Sequence, residues 1–287
     1  MSGARKHRSV GGTGNLAVLK PFSLHNAAPS AWRLQPGHGY MLFAALVLFV
    51  LVGEVQAAPA RPSIIATMWK WTPFLLQGFA FNILISFVSI IIGTMAGAAL
   101  GLGQISVSRP IRAVSWTVTQ FFRNAPWLVL LFYCIFLIPF EFELFGVTIP
   151  FPAWIKAVIG LSLPVMANFS EIVRGAVQSI PDGQWEAAES LAYTRRQTLW
   201  LIVLPQCIKR MLPPWMNLYA VLTMATPLVS IVGVGEGMTT TGEILAAENR
   251  SDLLIPFYMY LLCLFFIYCY PIARWTISLE RKFAVKI

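Results

Sequence analysis

The sequence is poor in charged residues. Only 11% of its 287 residues are Asp, Glu, Lys or Arg, and 57% are hydrophobic, whereas about a quarter of the residues of a typical soluble protein are charged. Several apolar runs exceed the roughly 18 residues that a helix needs to cross about 30 Å of hydrocarbon. The runs are continuous, whereas the strands of a membrane β-barrel alternate between polar and apolar residues. The composition therefore predicts an all-α fold, a polytopic bundle of membrane helices.

Other residue types are missing where several kinds of chemistry would need them. The three histidines all precede the first apolar run, so the spans hold no haem ligand or histidine proton relay. The four cysteines form no CxxC pair and are expected to be small buried hydrophobes, with no metal site. The glycine cluster at residues 11–14 lacks the Gly-Lys-Ser/Thr ending of a phosphate loop. No ionisable residue is expected near the middle of a span, where ion-coupled transporters place theirs. Any energy for uphill transport must then come from another subunit.

The apolar pattern divides the chain into a tail and a series of spans. Residues 1–39 are predicted to be a disordered basic tail. Residues 40–57 form a short apolar run that fits either a retained extra span or a cleaved, signal-like segment. Five core spans are expected at Gln77–Gly103, Thr117–Pro139, Ala153–Val173, Leu212–Gly235 and Leu254–Arg274.

Lys and Arg collect on one side of these spans. If the amino terminus is inside, 17 basic residues fall on the cytoplasmic side, and four (Arg61, Lys70, Lys156 and Arg250) fall outside. This asymmetry predicts cytoplasmic termini and places residues 181–214 in the cytoplasm. Acidic residues are expected in the outer loops, at Glu141, Glu143, Glu236, Glu243, Glu248 and Asp252.

Small and polar residues within the spans suggest two kinds of contact. Gly93, Gly97 and Gly101 share one helical face and predict close packing within the bundle or against a partner subunit. Pro164 and Pro227 can kink their helices. Polar side chains that could face a solute pathway are Asn82, Ser86, Asn168, Thr223 and Thr226, with interhelical hydrogen bonds as the alternative role.

Residues 181–214 form a polar segment between two apolar runs. Gly183 is expected to break the chain, and a helix is predicted from Gln184 to Tyr193, with Asp182 as its cap and Glu186 in its first turn. Ala187 and Ala188 would form a narrow ridge for a groove on a partner. The apolar stretch Leu199–Leu204 would lie back on the bundle. An ordinary amphipathic cytoplasmic loop is the alternative.

Several motifs in the same order resemble one family. Gly183-Gln184-Trp185-Glu186-Ala187-Ala188, followed by Leu204-Pro205-Gln206 and Leu212-Pro213-Pro214, resembles the EAA loop of ABC-importer permeases of the polar amino-acid uptake group. The runs 122–129 (FRNAPWLV), 171–176 (EIVRGA) and 271–282 are similar to further segments of that group. The resemblance covers about residues 75–283.

The resemblance implies a type I permease subunit with five core spans in a bacterial inner membrane. Such a subunit pairs with a second permease and works with two ATPase subunits and an external solute-binding protein. ATP would be hydrolysed on the partner, so this chain would be neither an enzyme nor the holder of a cofactor, and nucleic acid is not an expected partner. The EAA loop would be the ATPase-coupling element, through Gly183, Gln184, Glu186, Ala187, Ala188 and Ala192.

The chain departs from the family pattern at several positions. Ala192 replaces a glycine that makes a turn, at a cost of about 1 kcal/mol if the turn needs a positive φ. Residues 224–228 read MATPL instead of KDTSL, Asn168 replaces a tyrosine, and Asn82 replaces a threonine. These changes leave the solute and the identity of the second permease open. An ion-coupled transporter and a non-transporting assembly protein remain as alternative functions.

Overall fold

The computed structural model describes Met41, Ala44 and Ala45 and residues 62–144 and 146–283. Met41, Ala44 and Ala45 are helical and belong to a separate compact unit. The predicted tail 1–39 lies outside the described residues. So does the predicted span 40–57, apart from these three positions.

Membrane-length helices dominate the described chain. The first half contains α1 (Ile64–Gln104), α2 (Arg109–Asn124), α3 (Trp127–Leu137), an antiparallel hairpin of β1 (Glu141–Leu144) and β2 (Val147–Pro150), and α4 (Ala153–Gln178). The second half contains α5 (Asp182–Ser190), the short α6 (Arg195–Gln197), a π-helical segment (Thr198–Val203), α7 (Leu204–Ala225), a 3₁₀ segment (Thr226–Val232), α8 (Gly237–Glu248), a 3₁₀ turn (Ser251–Leu253) and α9 (Leu254–Phe283).

Four stretches of the described chain are long and apolar enough to cross a membrane, and a fifth is present if one bent pair counts as a span. That pair is α2 and α3, which meet at 103°, so the predicted span Thr117–Pro139 is broken near residue 125 and is not one straight helix. The cause is local: Ala125 precedes a proline and takes an extended ψ of 136°, because the ring of Pro126 disfavours the helical conformation in the residue before it. The all-α membrane bundle itself is confirmed.

Helix α1 begins before the predicted Gln77. Ser63 caps it, with Oγ accepting a hydrogen bond from the N–H of Ala66 at 3.2 Å. Lys70 Nζ and Trp71 Nε1 both donate to Glu248 Oε1, at 2.8 and 2.6 Å, and lower the pKa of the Glu248 carboxyl. These contacts join the first turns of α1 to the end of α8. The hydropathy pattern alone did not predict that these turns belong to the helix.

The glycine stripe of α1 packs against α4, as predicted. A Cβ at Gly93 would collide with the side chain of Val165. At Gly97 it would lie 2.6 Å from the carbonyl oxygen of Met166, and at Gly101 it would lie 2.7 Å from Cβ of Val173. Three successive turns of α1 therefore approach α4 at backbone distance. The buried cluster beside this contact draws on α1, α3, α4 and α7, and includes Ile85, Leu131, Leu161 and Leu222.

Lys156 was expected on the outer side of the membrane, at the start of the span Ala153–Val173, and its burial was not predicted. It lies in the first turn of α4 and is fully buried. Its Nζ donates to the carbonyl oxygens of Ile135 and Ile138, at 3.3 and 2.7 Å, and lies 3.0 Å from the centroid of the Phe140 ring. The ammonium group thus takes up carbonyls that the end of α3 leaves without helical partners, where the helix dipole favours a cation.

The close approach of α1 and α4 leads to a stability prediction. We expect Gly97→Val to lower stability by about 1–3 kcal/mol, because the added atoms meet backbone that cannot move aside. Gly175→Ala is the matched control, since a Cβ at that glycine of α4 meets nothing within 4 Å. The control should be neutral or more stable by up to about 1 kcal/mol. Thermal denaturation of the purified variants in detergent measures both, and equal midpoints for Gly97→Val and the native chain would contradict this packing.

Candidate functional site

The polar segment between α4 and α7 holds the predicted coupling residues on helix α5. The helix runs from Asp182 to Ser190, with Pro181 at the N-cap position and no side-chain cap. The predicted boundaries are therefore wrong. Asp182 is the first helical residue instead of the cap, and Gly183 continues the helix instead of breaking the chain. Since Glu186 is the fifth residue, it lies beyond the first turn.

One side of α5 rests on the bundle. Ala188 is 2% exposed and Trp185 is half-buried. Trp185 packs against the cluster of Ala176, Val177, Ile180, Val203 and Cys207. The apolar π-helical segment supplies Val203 to this cluster, so its predicted return to the bundle is confirmed. The predicted ridge of Ala187 and Ala188 is not a shared exposed surface, because consecutive helical residues point about 100° apart.

The opposite side of α5 faces away from the bundle. Gly183, Glu186, Ala187 and Ser190 are exposed and follow the i, i+3, i+4, i+7 spacing of one helical face. A Cβ added at Gly183 would meet nothing within 4 Å. The fold of this chain therefore does not require glycine there, and the bare backbone is available for close contact with another molecule. Gln184 is also exposed and accepts a 3.4 Å hydrogen bond from Gln206 of α7.

A tight turn at Ala192 ends α5. The φ of Ala192 is +59°, so the condition on which the expected cost of alanine depended, a positive φ, is met. The N–H of Ala192 donates to the carbonyl of Glu189 at 2.9 Å, and the N–H of Tyr193 donates to the carbonyl of Ala188 at 3.1 Å. This pair of bonds is the Schellman arrangement, in which glycine is the usual left-handed residue. Thr194 and Gln197 then form a capping box that starts α6.

The predicted pathway residues do not form a single site. Asn82 and Thr226 are fully buried and joined, with Asn82 Nδ2 donating to Thr226 Oγ1 at 3.0 Å. Ser86 and Thr223 are also buried, and they donate to the backbone carbonyls of Ile83 and Tyr219, respectively. In this structure all four side chains connect helices or turn back on their own helix.

The residue that the sequence analysis missed is Glu236, which was expected in an exposed acidic loop. It is fully buried. Its carboxylate caps α8 by accepting from the N–H groups of Met238 and Thr239, at 3.0 and 3.2 Å, and it also accepts from Asn82 Nδ2 at 2.6 Å. Asn82 Oδ1 in turn accepts from the N–H of Gly237 at 2.9 Å. A carboxylate directly before a new helix is a capping signal that the sequence did contain.

Asn168 lies apart from the other four. It is half-buried, and its Nδ2 donates to the carbonyl of Pro164 at 2.8 Å. It lines an open cavity of about 920 Å³ between α2, α4 and α7. The polar side chains of this cavity belong to Gln120, Arg123, Asn124, Asn168, Glu171 and Asn217. Such a lining can donate to and accept from a small polar molecule, and it carries one charge of each sign.

An ion-pair network beside this cavity joins two of the sequence motifs. Arg174 Nη2 donates to Glu171 Oε2 at 2.7 Å, and Arg123 Nη1 lies 3.5 Å from the same oxygen. Arg123 belongs to the FRNAPWLV run and Glu171 to the EIVRGA run. The two motifs are thus neighbours because the end of α2 packs against α4.

The strained turn gives a second prediction. We expect Ala192→Gly to stabilise the end of α5 by about 1 kcal/mol, because glycine adopts a positive φ without the Cβ clash of an L-residue. Ala187→Gly is the control, since it should destabilise the helix interior by a similar amount. Hydrogen–deuterium exchange of the amides in residues 182–197 reports both changes. Exchange in Ala192→Gly that is equal to or faster than in the native chain would contradict the strain.

Known proteins resemble this chain in sequence and fold. Residues 89–271 match the family of binding-protein-dependent transport system inner membrane components. The L-cystine transport system permease protein TcyB of Bacillus subtilis is 33% identical over 73% of this chain and 86% of its own length. The inner membrane amino-acid ABC transporter permease protein YhdY of Escherichia coli is 28% identical, over 94% of this chain and 71% of its own length.

Two solved structures share the architecture. A crystal structure of an amino acid ABC transporter with histidines superposes with a TM-score of 0.65 and 25% identity, over 76% of this chain and 97% of that chain. An inward-facing structure of the MetNI methionine ABC transporter superposes with a TM-score of 0.57 at 17% identity, over 73% of this chain and 98% of that chain. The second likeness shows the fold alone.

Proposed function

Since the chain belongs to the family of binding-protein-dependent transport system inner membrane components and is the permease subunit of an ABC importer, we propose that it carries an amino acid or a related small polar solute. It is a multi-pass protein of the inner membrane, and ATP is used by a partner ATPase subunit. The named relatives that transport L-cystine or other amino acids support this solute class. The second permease is a copy of this chain or a homologue, and an external solute-binding protein delivers the solute.

Helix α5 is the proposed coupling element, and the exposed face of Gly183, Glu186 and Ala187 is the observation that carries this assignment. The face is polar, has no partner within the described part of this chain, and allows close approach at Gly183. The buried side, through Ala188, fixes α5 to the spans. Gln184 links α5 to α7, and Ala192 sets the turn that follows. An ATPase groove that holds the exposed face would thus move the bundle with it.

The orientation of the chain follows from the same proposal. If α5 meets the ATPase, the ends of α4 and α7 that flank it are cytoplasmic, which agrees with the excess of basic residues on that side. The carboxyl end of α9 is then cytoplasmic as well, and the amino terminus is cytoplasmic if residues 40–57 are retained as a further span. The hairpin of β1 and β2 and the helix α8 lie toward the outside. Alternating access follows when closure of the ATPases displaces α5 and the spans change from inward-facing to outward-facing.

The solute route is proposed along the polar cavity that Asn168 lines. Its volume of about 920 Å³ is ample for an amino acid, and Arg123 and Glu171, which pair with each other in this structure, carry the charges that would match a carboxylate and an ammonium group. Asn82, Ser86, Thr223 and Thr226 are buried in this structure. We propose that they contact the solute only when the spans rearrange.

A charge reversal tests the coupling role. We expect Glu186→Lys to reduce ATP-driven uptake at least about tenfold, since it opposes a charge at the proposed ATPase contact. Glu189→Lys is the matched control because it makes the same change on an exposed residue nearer the carboxyl end of α5, where the helix dipole favours a cation. Uptake into membrane vesicles and ATP hydrolysis by the purified complex are measured together. Uptake that is unchanged in Glu186→Lys would remove α5 from the coupling mechanism.

A second substitution tests the route. We expect Asn168→Leu to lower solute uptake about tenfold at low solute concentration, because an amide that can bond the solute is replaced by an apolar group. Met166→Leu, a conservative change of a half-buried residue two positions away in α4, is the control. Both variants are compared at equal amounts in the membrane, with a panel of radiolabelled amino acids. Equal uptake by the two variants for every amino acid that the native complex carries would contradict the route.

A further inference from the structure

A second cavity lies where α5 meets the ends of the spans. Its volume is about 400 Å³, and it is enclosed by the end of α1, the start of α2, the end of α4, α5 and the residues that lead into the π-helical segment. The polar side chains in its lining are Gln104, Arg112, Gln178, Asp182 and Arg195, with Trp185 beside them. None of these residues lines the proposed solute cavity.

The charged groups of this cavity are unpaired in the described part of the chain. Arg112 Nη1 donates to the carbonyl oxygen of Ser106 at 3.2 Å, and the guanidinium of Arg195 lies 5.9 Å from the centroid of the Trp185 ring. Among the ion pairs of residues 62–144 and 146–283, none includes Arg112, Arg195 or Asp182. Two cations and one anion therefore remain available to a ligand.

The deepest polar group of the lining lacks a hydrogen-bond donor. Gln104 is 4% exposed, and its Nε2 donates to Thr119 Oγ1 and Ser170 Oγ at 3.0 and 3.1 Å. Its Oε1 is the buried side-chain atom for which the described residues supply no partner. A buried acceptor without a donor is costly. Because that oxygen is shielded from solvent, the charged side chains of the lining are the groups left to bond a ligand.

Apolar residues surround these groups. Ile105, Val177 and Leu199 belong to the lining. Val107, before α2, and Ile111, in its first turn, are 68% and 53% exposed. A ligand with a polar head and an apolar tail suits such a site at the end of a membrane bundle. Basic pockets between membrane helices bind lipid head groups in the same way.

We propose that this cavity binds a zwitterion that carries an anionic group and a primary ammonium group, supplied by the ethanolamine phosphate head of a membrane phospholipid. Its phosphate contacts the guanidinium groups of Arg112 and Arg195. Its ammonium group donates to the carboxylate of Asp182. The exposed Val107 and Ile111 lie along the acyl chains. A free amino acid has the same two charged groups and is the alternative source of this chemistry.

The ligand connects parts of the chain that otherwise touch through few polar contacts. Asp182 and Trp185 belong to α5, whereas Gln104 and Arg112 belong to α1 and α2. A bound head group thus links α5 to the spans. The binding site depends only on these side chains, so it stands whether or not α5 couples to an ATPase.

Native mass spectrometry of the full chain, with the subunits that co-purify, tests the proposal. Phosphatidylethanolamine and phosphatidylcholine with identical acyl chains are titrated separately, because the choline group has no N–H to donate. We expect phosphatidylethanolamine to bind about tenfold more tightly, as one charge-assisted hydrogen bond would give. Arg112→Gln and Arg195→Gln should each weaken its binding by about the same factor. Arg196→Gln, a change in the neighbouring exposed arginine outside the cavity, should leave it unchanged.

Two further arms complete the test. Asp182→Asn, at an exposed position, should reduce the preference for ethanolamine over choline while the protein stays folded in gel filtration. O-Phosphoethanolamine and L-alanine are added separately as soluble competitors. Displacement of the lipid by millimolar L-alanine would identify the soluble amino-acid pool as the source of the same chemistry. Equal binding of the two lipids, or equal losses in Arg195→Gln and Arg196→Gln, would overturn the proposal.

Discussion

The approach of α1 to α4 at backbone distance is the constraint on which the rest of the structure depends. Lipid tails are as apolar as leucine, so the hydrophobic effect does not press two membrane helices together, and association relies on close packing. Gly93, Gly97 and Gly101 permit that packing over three turns. Polar contacts then fix the register. Ser89 donates to the carbonyl of Val158 at 3.2 Å, and Gln104 donates to Ser170 at 3.1 Å.

Once α4 is fixed, the position of its carboxyl end determines where α5 lies. Trp185 packs on an apolar surface formed by Ala176, Val177 and Ile180. Arg210 of α7 donates to the carbonyl oxygen of Ser179 at 2.6 Å and holds the start of the connection. The Schellman turn at Ala192 sends the chain back into α6 without a long loop. Because the connections on both sides of α5 are short, a displacement of α5 would be passed on to α4 and α7, as the proposed coupling role requires.

The features that sequence alone predicted correctly are those that depend on a pattern repeated along the chain. The apolar runs predicted the class of fold, the glycine stripe predicted close helix packing, and the family glycine at position 192 predicted a turn. The failures concern single residues whose environment is built by distant parts of the chain. Lys156 is buried because α3 ends beside it, and Glu236 is buried because α1 presents Asn82. Ala187 is exposed and Ala188 is buried, and this difference likewise depends on where α5 meets the bundle.

Two of the departures from the family pattern, Asn82 and residues 224–228, lie in contact in the structure. Residues 224–228 have lost a Lys-Asp pair, and the chain leaves the α-helix there for a 3₁₀ segment that begins at Thr226 and Pro227. Proline cannot supply the N–H that an α-helix needs, so side chains must hold the segment. Asn82 bonds Thr226, Glu236 and the N–H of Gly237, and thereby uses both its donors and its acceptor. A threonine at position 82 could not make these three bonds with its single hydroxyl, and Glu236 would lose a donor in a buried site, at a cost of about 1–3 kcal/mol. Asparagine at position 82 and the altered stretch at 224–228 therefore meet at one buried contact, in which the amide of Asn82 joins Thr226 to the carboxylate of Glu236.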